Sequence, residues 1–223
     1  MADYQVVNET DAENTIFENE WDKLWTNHFR AREVIDIYQD HKDAIKECLR
    51  VAKYQLESTF GGANAQTNEI GWMPILPNFL LALPAAATAT YATATWNRYI
   101  TTANVTTRWN DWIIGADAGS SLKMTKYGTM IIIGFADPVE EPKIDGILAK
   151  IKGKEYPIWS FGDQMSETDW HVYELPAPII IEKEQEIYLQ ALAGRAGLDK
   201  LRPLGVFFAK GDYMRNKTAY AQV

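Results

Sequence analysis

The sequence predicts a mainly β protein in which a helical arm precedes an antiparallel β-sandwich or barrel. Apolar residues recur at three- and four-residue spacing between residues 10 and 57, which is the period of an amphipathic helix. Short apolar and Thr-rich runs follow from residue 88 onward, with no helix-length pattern between them. Strands at such short spacing are typical of a sandwich or barrel. We therefore divide the chain into a helical arm (1–62), a linker with an apolar connector (63–87) and a β-sandwich (88–223).

The composition is that of a globular protein. Of the 223 residues, 47% are hydrophobic and 23% are charged, so the chain has ample apolar surface to bury. Cys48 is the only cysteine, which excludes a disulfide bond within the chain. The net charge is −8, and an acidic chain is a poor general ligand for nucleic acid because phosphate neutralisation needs clustered cations. We expect no specific nucleic-acid partner.

The helical arm begins at a predicted capping box. Thr10 and Glu13 have the spacing at which each side chain satisfies a free backbone N–H group at the start of a helix. Two apolar stripes then predict one long helix, or two helices with a break near residues 29–32. Gly61 and Gly62 are the predicted end of this helical region.

The connector carries no charged residue from Ile70 to Asn97. Its prolines, among them Pro74, Pro77 and Pro84, would break the hydrogen bonding of a membrane-spanning helix, so we reject such a helix. An extended, buried connector is the simplest interpretation. The alternative is that this segment docks against a membrane surface or a neighbouring subunit, because exposed apolar stretches tend to mark such contacts.

The aromatic residues of the arm and the connector are candidates for contacts with a partner. Trp, Tyr and Phe are favoured anchors at protein interfaces, and their combined area would exceed the apolar surface that a monomer usually exposes. The plainer interpretation is that the arm packs on the core of its own chain. The interaction hypothesis names Phe17, Trp21, Trp25, Tyr38, Tyr54, Trp72 and Phe79.

The carboxyl-terminal part of the chain predicts a succession of short strands. An almost continuous apolar run over 129–137 indicates a buried strand, and the step at Gly153 indicates a hairpin between 143–153 and 155–162. Further strands are predicted over 88–96, 99–109, 169–175, 177–181, 186–194 and 202–214.

The sequence carries no catalytic or phosphate-binding signature. It lacks a GxGxxG or GxxxxGK[ST] loop and a GxSxG elbow. His28, His41 and His171 lie too far apart for ligands on adjacent turns, and a metal site usually needs three or four converging ligands. We interpret the alternating acids of 182–186 as a solvated edge or turn. We therefore expect no enzyme activity, no metal and no cofactor.

The pattern of the amino-terminal residues does not predict a signal peptide. MADYQVVNETDAENT lacks the basic start and the apolar core of such a segment. We therefore expect the protein to be made in the cytoplasm of the cell that produces it.

Three segments look like successive sandwich strands joined by turns that contain Pro or Gly: TMIIIGFADP, LPAPIIIEKEQEIYLQALAG and RPLGVFFAKGDYM. Together with the helical arm, the polar linker and the apolar connector, they resemble the plan of the single jelly-roll capsid proteins of icosahedral viruses. In size and plan the chain is most similar to the penton base of archaeal turreted icosahedral viruses. This is a resemblance of organisation and not of a residue motif.

The resemblance implies a single jelly-roll-like antiparallel β-sandwich with an N-terminal helical arm. It also implies a viral structural protein, a capsid or penton-base subunit that acts by self-assembly at the shell or vertex of the virion. The implied partners are copies of the same chain, as in a pentamer at a five-fold vertex, other capsid or turret proteins, and an internal membrane or its proteins.

Two other classes of protein stay open. A carbohydrate-binding or adhesive β-sandwich would carry a cluster of exposed aromatic residues on one sheet face or loop end. A cupin-like enzyme needs several histidines and a carboxylate inside its barrel, and His171 is the only histidine of the predicted sandwich. In each case we expect residues 88–223 to fold without the arm, because the strands alone supply a two-sheet core.

Overall fold

The structure is a computed structural model that describes residues 10–28, 31–75, 96, 98–102, 105, 109–111, 122–151, 153–156, 159–161 and 171–215. Within these ranges the protein is mainly β with antiparallel sheets, as predicted. The helices are α1 (Asp11–His28), α2 (Arg32–Asp40), α3 (Lys42–Leu56) and α4 (Gly211–Arg215), with a short 3-10 turn at Gly62–Asn64. The strands are β1 (Ile70–Pro74), β2 (Arg98–Ile100), β3 (Trp109–Asp111), β4 (Leu122–Lys123), β5 (Gly128–Asp137), β6 (Ile144–Ile151), β7 (Lys154–Glu155), β8 (Trp159–Ser160), β9 (His171–Ile181), β10 (Glu186–Ala193), β11 (Gly197–Asp199) and β12 (Arg202–Lys210).

Two larger sheets and one ribbon contain these strands. The first sheet has the order β1-β12-β5-β9, and the second has the order β3-β10-β6-β7. In the second sheet β4 also pairs with β10, and β8 also pairs with β6. β2 and β11 form a separate two-stranded ribbon. Neighbouring strands are antiparallel in all three.

The two larger sheets share one apolar core. Ile132 and Phe135 of β5 pack in the same cluster as Ile147 of β6 and Leu189 of β10. This is the packing of a β-sandwich, in which alternate residues of each strand face the opposite sheet. The second sheet thereby covers one face of the first.

The helices cover the other face of the first sheet. Ile131 and Ile133, which alternate with the core-facing residues of β5, pack in a second cluster with Val34 of α2 and Leu49 of α3. β5 is consequently buried along its whole length, as expected of a strand that is covered on both faces. The helical region therefore forms a layer of the fold in this structure, which corrects the expectation of an arm that docks outside its own sandwich.

The helical region differs from the prediction in its break points and its end. The break near residues 29–32 is present, and α2 and α3 meet at a further break at His41. The last long helix ends at Leu56, because Glu57 adopts the left-handed conformation with φ +49°. Gly61 and Gly62 lie beyond that end, so their predicted role as the stop is wrong.

The predicted connector contains a strand of the first sheet. β1 pairs with β12 from Ile70↔Lys210 to Pro74↔Val206, and both Ile70 and Trp72 are buried. The extended, buried interpretation is therefore confirmed for these residues. The boundary at residue 88 separates β1 from the sheet to which it belongs. The strand predicted over 88–96 lies outside the described residues, apart from Trp96.

Among the predicted strands, 129–137 and 186–194 agree closely with β5 and β10, and the hairpin at Gly153 is confirmed by the pairing of β6 with β7. The strands predicted over 169–175 and 177–181 form one strand, β9, which is interrupted by a bulge of several residues. Ile132 pairs with Ile179 and Gly134 with Glu174, which leaves the LPAP segment 175–178 opposite one residue of β5. Two prolines fit there because they lack an N–H group for the ladder.

Candidate functional site

The predicted interaction residues mostly lie inside the chain. Phe17, Trp21, Tyr38 and Trp72 are each buried to 4% exposure or less in the layer between the helices and the first sheet. Their apolar area is covered by their own sheet and helices, so they are unavailable as anchors on this surface. This corrects their assignment to an interface and confirms the interpretation of a core-packing helical region.

The buried aromatic side chains form a connected cluster. The Phe17 ring lies 5.5 Å from that of Trp21 and 5.1 Å from that of Trp72, measured between ring centroids. Trp72 in turn stacks on Phe208 of β12 at 6.0 Å and meets Phe60 edge-on at 5.8 Å. These distances fall in the range in which aromatic pairs attract one another. The cluster fixes α1 onto the β1–β12 edge of the sheet.

Two lysines of α3 close the outer side of this cluster. Lys42 Nζ lies 5.4 Å from the Trp21 ring centroid, and Lys46 Nζ lies 4.9 Å from the Phe17 ring centroid. Both ammonium groups also pair with the carboxylate of Glu18, at 2.5 and 2.9 Å. Cations over aromatic faces add to the stability of such contacts. The rim of the cluster is therefore charged and paired.

Tyr38 holds α2 to an irregular point of the sheet. Its hydroxyl donates to the carbonyl of Gly205 at 2.8 Å and accepts the N–H of the same residue at 2.9 Å. Gly205 lies where the register between β12 and β5 shifts, so the Tyr38 hydroxyl serves as its hydrogen-bond partner there. A Cβ at Gly205 would overlap the carbonyl oxygen of Ile131, and its φ of +155° disfavours other residues. Burial raises the pKa of Tyr38.

Of the remaining predicted interaction residues, one is exposed and the side chains of two lie outside the described residues. Tyr54 of α3 is 71% exposed. The side chain of Trp25 and all of Phe79 lie outside the described residues. Tyr99 and Leu198 are the other exposed large apolar side chains in the described part of the chain, and they are cross-strand partners in the β2–β11 ribbon. Sequence reasoning missed this pair, although Tyr99 lies in a segment that was predicted as a strand.

The predicted capping box is present and belongs to a larger polar cluster. Thr10 N–H donates to Glu13 Oε2 at 3.2 Å, and Glu13 N–H donates to Thr10 Oγ1 at 3.3 Å. The same carboxylate accepts Lys53 Nζ at 2.6 Å and the N–H of Phe60 at 3.1 Å. Glu13 therefore joins the start of α1 to the end of α3 and to the segment before β1.

Glu13 and Lys53 line an open groove of about 580 Å³, together with residues that include Tyr54 and Asn68. Burial by itself would raise the pKa of Glu13, but the Lys53 ammonium and the N–H groups of Phe60 and Thr10 together hold it below its usual range. The opposite charges of Glu13 and Lys53 pair with each other, so we assign the pair a structural role.

A second polar cluster lies at one end of the sandwich. Asp137 ends β5, Asp199 ends β11, and both residues are completely buried. Asp137 is also the cross-strand partner of His171, the first residue of β9. Sequence reasoning missed this cluster because its members are up to 62 residues apart (199 − 137) and no spacing rule connects them. The only local signal was an acidic residue at the end of a buried strand.

His41 and His171 do not come together. The side chain of His28 lies outside the described residues, and His41 Nε2 lies 3.0 Å from Glu174 Oε1 of β9. Glu174 and His171 are three residues apart on one strand, so their side chains point to opposite faces. Within the described ranges, no group of three or more His, Cys, Asp or Glu side chains has the geometry of a metal site.

The acids of 182–186 lie in the turn between β9 and β10 and at the start of β10, which confirms a turn. Gln55 of α3 holds this turn: its Oε1 accepts the N–H of Lys183 at 3.1 Å, and its Nε2 donates to Glu182 at 2.7 Å. None of the helices in the described ranges has both the length and the apolar character that crossing a membrane requires.

No protein-family model, no curated protein and no solved structure matches this chain.

Proposed function

We propose that this chain is a viral structural protein, a capsid or penton-base subunit that acts by self-assembly at the shell or vertex of a virion. The order of its strands is the observation that carries the proposal. We count β1, β3, β5, β6, the pair β7–β8, β9, β10 and β12 as the first to the eighth strand. The first sheet then has the order first, eighth, third, sixth, and the second has the order second, seventh, fourth, fifth.

This order supports a jelly roll. First pairs with eighth, second with seventh, third with sixth and fourth with fifth, each antiparallel. These are the pairings of one long antiparallel ribbon, and rolling that ribbon brings the eighth strand beside the third and the seventh beside the fourth. Jelly rolls of eight strands recur in viral capsid proteins, in lectins and in cupins. Capsid proteins are the class that also agrees with the chain's plan of helices before a single sandwich.

The proposal names the partners by the same reasoning. They are copies of this chain, in a pentamer at a five-fold vertex, together with other capsid or turret proteins and an internal membrane or its proteins. Since the aromatic cluster of α1 is buried in its own chain, other residues must form the contacts between copies. In the described part of the chain, the exposed pair Tyr99 and Leu198 offers the apolar surface best suited to such a contact.

The oligomeric state of the purified full chain tests this proposal. Native mass spectrometry and negative-stain electron microscopy should reveal a closed ring, with five copies as the expected number. The double variant Tyr99→Ser, Leu198→Ser should weaken assembly roughly thirtyfold, since truncation of an interface hot spot costs about 2 kcal/mol. Tyr54→Ser is the matched control, because it removes an equally exposed tyrosine from the helical layer.

Other outcomes would contradict the proposal. A protein that remains monomeric at high micromolar concentration is not a self-assembling shell subunit. If that monomer binds immobilised glycans and loses binding in Tyr99→Ser, the carbohydrate-binding interpretation replaces it.

A further inference from the structure

Asp137 and Asp199 form a buried pair of carboxyl groups at the junction of three strands. Asp137 is the last residue of β5, in the first sheet. Asp199 is the last residue of β11, in the ribbon, and it contacts the start of β6, in the second sheet. Neither residue has any exposed surface. A change in this pair therefore affects how the ribbon joins the sandwich.

Asp199 accepts hydrogen bonds from the main chain on both of its oxygens. Its Oδ2 accepts the N–H groups of Lys143 at 2.8 Å and Ile144 at 3.2 Å, and its Oδ1 accepts the N–H of Leu201 at 2.8 Å. The carbonyl of Lys143 accepts the N–H of Gly194 at 2.9 Å. The ribbon is thus attached to the second sheet through the main chain around Lys143, and Asp199 is its anchor.

Only one carboxyl oxygen of Asp137 has a hydrogen-bond partner in the described part of the chain. Its Oδ1 accepts the N–H of Val139 at 3.0 Å. Its Oδ2 is buried and has no hydrogen-bond partner among the described residues, although the carboxyl group of Asp199 is its neighbour. Two carboxylates cannot donate to each other, so this contact becomes a hydrogen bond only when one of them carries a proton.

We propose that Asp137 retains a proton that it donates to Asp199, and that loss of this proton at rising pH loosens the β2–β11 ribbon from the sandwich. The protonated pair joins the end of β5 to the anchor of the ribbon. The deprotonated pair places two negative charges side by side without water, which is strongly unfavourable. Because the charge lies at the anchor, opening the ribbon is the shortest route to hydration.

The environment of Asp137 agrees with this device. Burial first, and the negative charge of Asp199 second, raise the pKa of Asp137 to about 7. A carboxyl group whose pKa is raised on folding stabilises the folded form below its ordinary pKa, and this contribution is lost as pH rises through the folded value. The relevant window therefore extends from about pH 4 to about pH 7.

Few titratable groups of the described residues lie close enough to Asp137 to cause the proposed pH dependence. His171 faces it across the β5–β9 ladder, and Lys200 approaches it through its backbone N–H. Arg202 of β12 lies on the other face of the sheet, where it interacts with Tyr38. In the adjoining loops, Glu141 pairs with Lys143 and with Arg195 on the outside, and Glu140 is exposed.

The element that would move carries an exposed apolar surface. Tyr99 is 74% exposed and Leu198 is 45% exposed, and Leu198 directly precedes Asp199. Loosening of the anchor would therefore shift both side chains. The proton-dependent anchor itself does not require that the chain assembles.

Hydrogen exchange of the intact wild-type protein between pH 5 and pH 8 tests the inference. After correction for the intrinsic rate at each pH, protection of the amides of 196–201 should fall roughly a hundredfold across this range, about tenfold per pH unit up to the pKa of Asp137. The amides at the centre of β5 should change much less and serve as the internal reference.

Three variants assign the effect. Asp137→Asn keeps a donor toward Asp199 without a titrating group, so its protection should be independent of pH. Glu140→Gln removes an exposed acid three residues away and should retain the wild-type dependence, as should His171→Asn. In the wild type, ¹³C-labelled aspartate signals give a second measurement, and one buried aspartate should titrate near neutrality even if a variant fails to fold.

Several results would overturn the inference. Wild-type protection that stays flat from pH 5 to pH 8 excludes a proton-dependent anchor. A pH dependence that persists in Asp137→Asn, or that disappears in His171→Asn, assigns the titration to another group. The absence of any aspartate signal that titrates near neutrality excludes the shared proton.

Discussion

The substitution Tyr38→Phe removes a single oxygen atom from the contact between the helical layer and the first sheet. In the wild type this oxygen is the hydrogen-bond partner of both the N–H and the C=O of Gly205. The C=O retains a second donor, the N–H of Ile75 at 3.1 Å. The N–H of Gly205 would be left buried without an acceptor.

The magnitude follows from that difference. A buried donor without a partner costs about 1–3 kcal/mol, and the lost bond to the carbonyl adds somewhat less than 1 kcal/mol because Ile75 remains. We therefore expect the free energy of unfolding to fall by about 2–3 kcal/mol. For a chain of this size the melting temperature should fall by about 4–12 °C.

Equilibrium unfolding in urea, followed by tryptophan fluorescence, measures this change. The midpoint should decrease while the slope with denaturant stays constant, because the surface exposed on unfolding is unchanged. Tyr54→Phe is the matched control: its side chain is 71% exposed, so its effect should stay within about 0.5 kcal/mol.

Equal stability of Tyr38→Phe and Tyr54→Phe would refute the reasoning. It would mean that α2 does not lie on the sheet in solution, as in an arm that detaches from its sandwich. Tyr38→Leu is a further check. This variant loses the ring contacts in addition to the hydroxyl group, so its stability should fall further than that of Tyr38→Phe.

The same helical layer gives three more testable expectations. Glu13→Gln should destabilise the protein by about 3 kcal/mol at pH 7 in chemical denaturation, since it leaves Lys53 buried without its counter-charge. Because the folded pKa of Glu13 is lowered, its stabilising effect is present above its usual pKa of 4.5, and the difference from wild type should shrink as pH falls below that value. The control Glu47→Gln changes an exposed position of α3 whose ion pair with Arg50 lies on the surface, and it should stay within about 0.5 kcal/mol of wild type at both pH values. Cys48 is completely buried and burial raises its thiol pKa, so a maleimide probe should label it only in denaturant; rapid stoichiometric labelling of the native protein would contradict the buried helical layer. A fragment of residues 88–223 should show no cooperative thermal transition, because it lacks β1 and exposes the face of β5 that the helices cover, whereas the full chain should melt cooperatively. A cooperative transition in the fragment would contradict this and restore an autonomous sandwich.

The charged and polar contacts show which interactions can be predicted from the sequence and which cannot. The capping box of Thr10 and Glu13 was predicted because its two members are three residues apart. The bonds from Glu13 to Lys53 and Phe60 span 40 and 47 residues, and those from Tyr38 to Gly205 span 167. No local pattern distinguishes these contacts from solvated polar residues.

The sequence by itself determined the local elements. Helical periodicity placed the helices before residue 57, a nearly continuous apolar run placed β5, and short apolar segments placed β10 and β12, because such patterns depend only on neighbours along the chain. It also predicted the hairpin at Gly153, where φ is +73° and glycine is favoured. The sequence left open whether the aromatic stripe of α1 faces a partner or its own chain.

Only the tertiary structure decided what covers each surface. The first sheet is apolar on both faces, so one face packs on the second sheet and the other recruits the helices, and this removes Phe17, Trp21, Tyr38 and Trp72 from the surface. The tertiary structure likewise brought Asp137 and Asp199 together, since strands distant in sequence end at the same corner of the sandwich. The physical reason is common to both: burial and electrostatic coupling depend on distance in space, whereas periodicity and turn chemistry depend on distance along the chain.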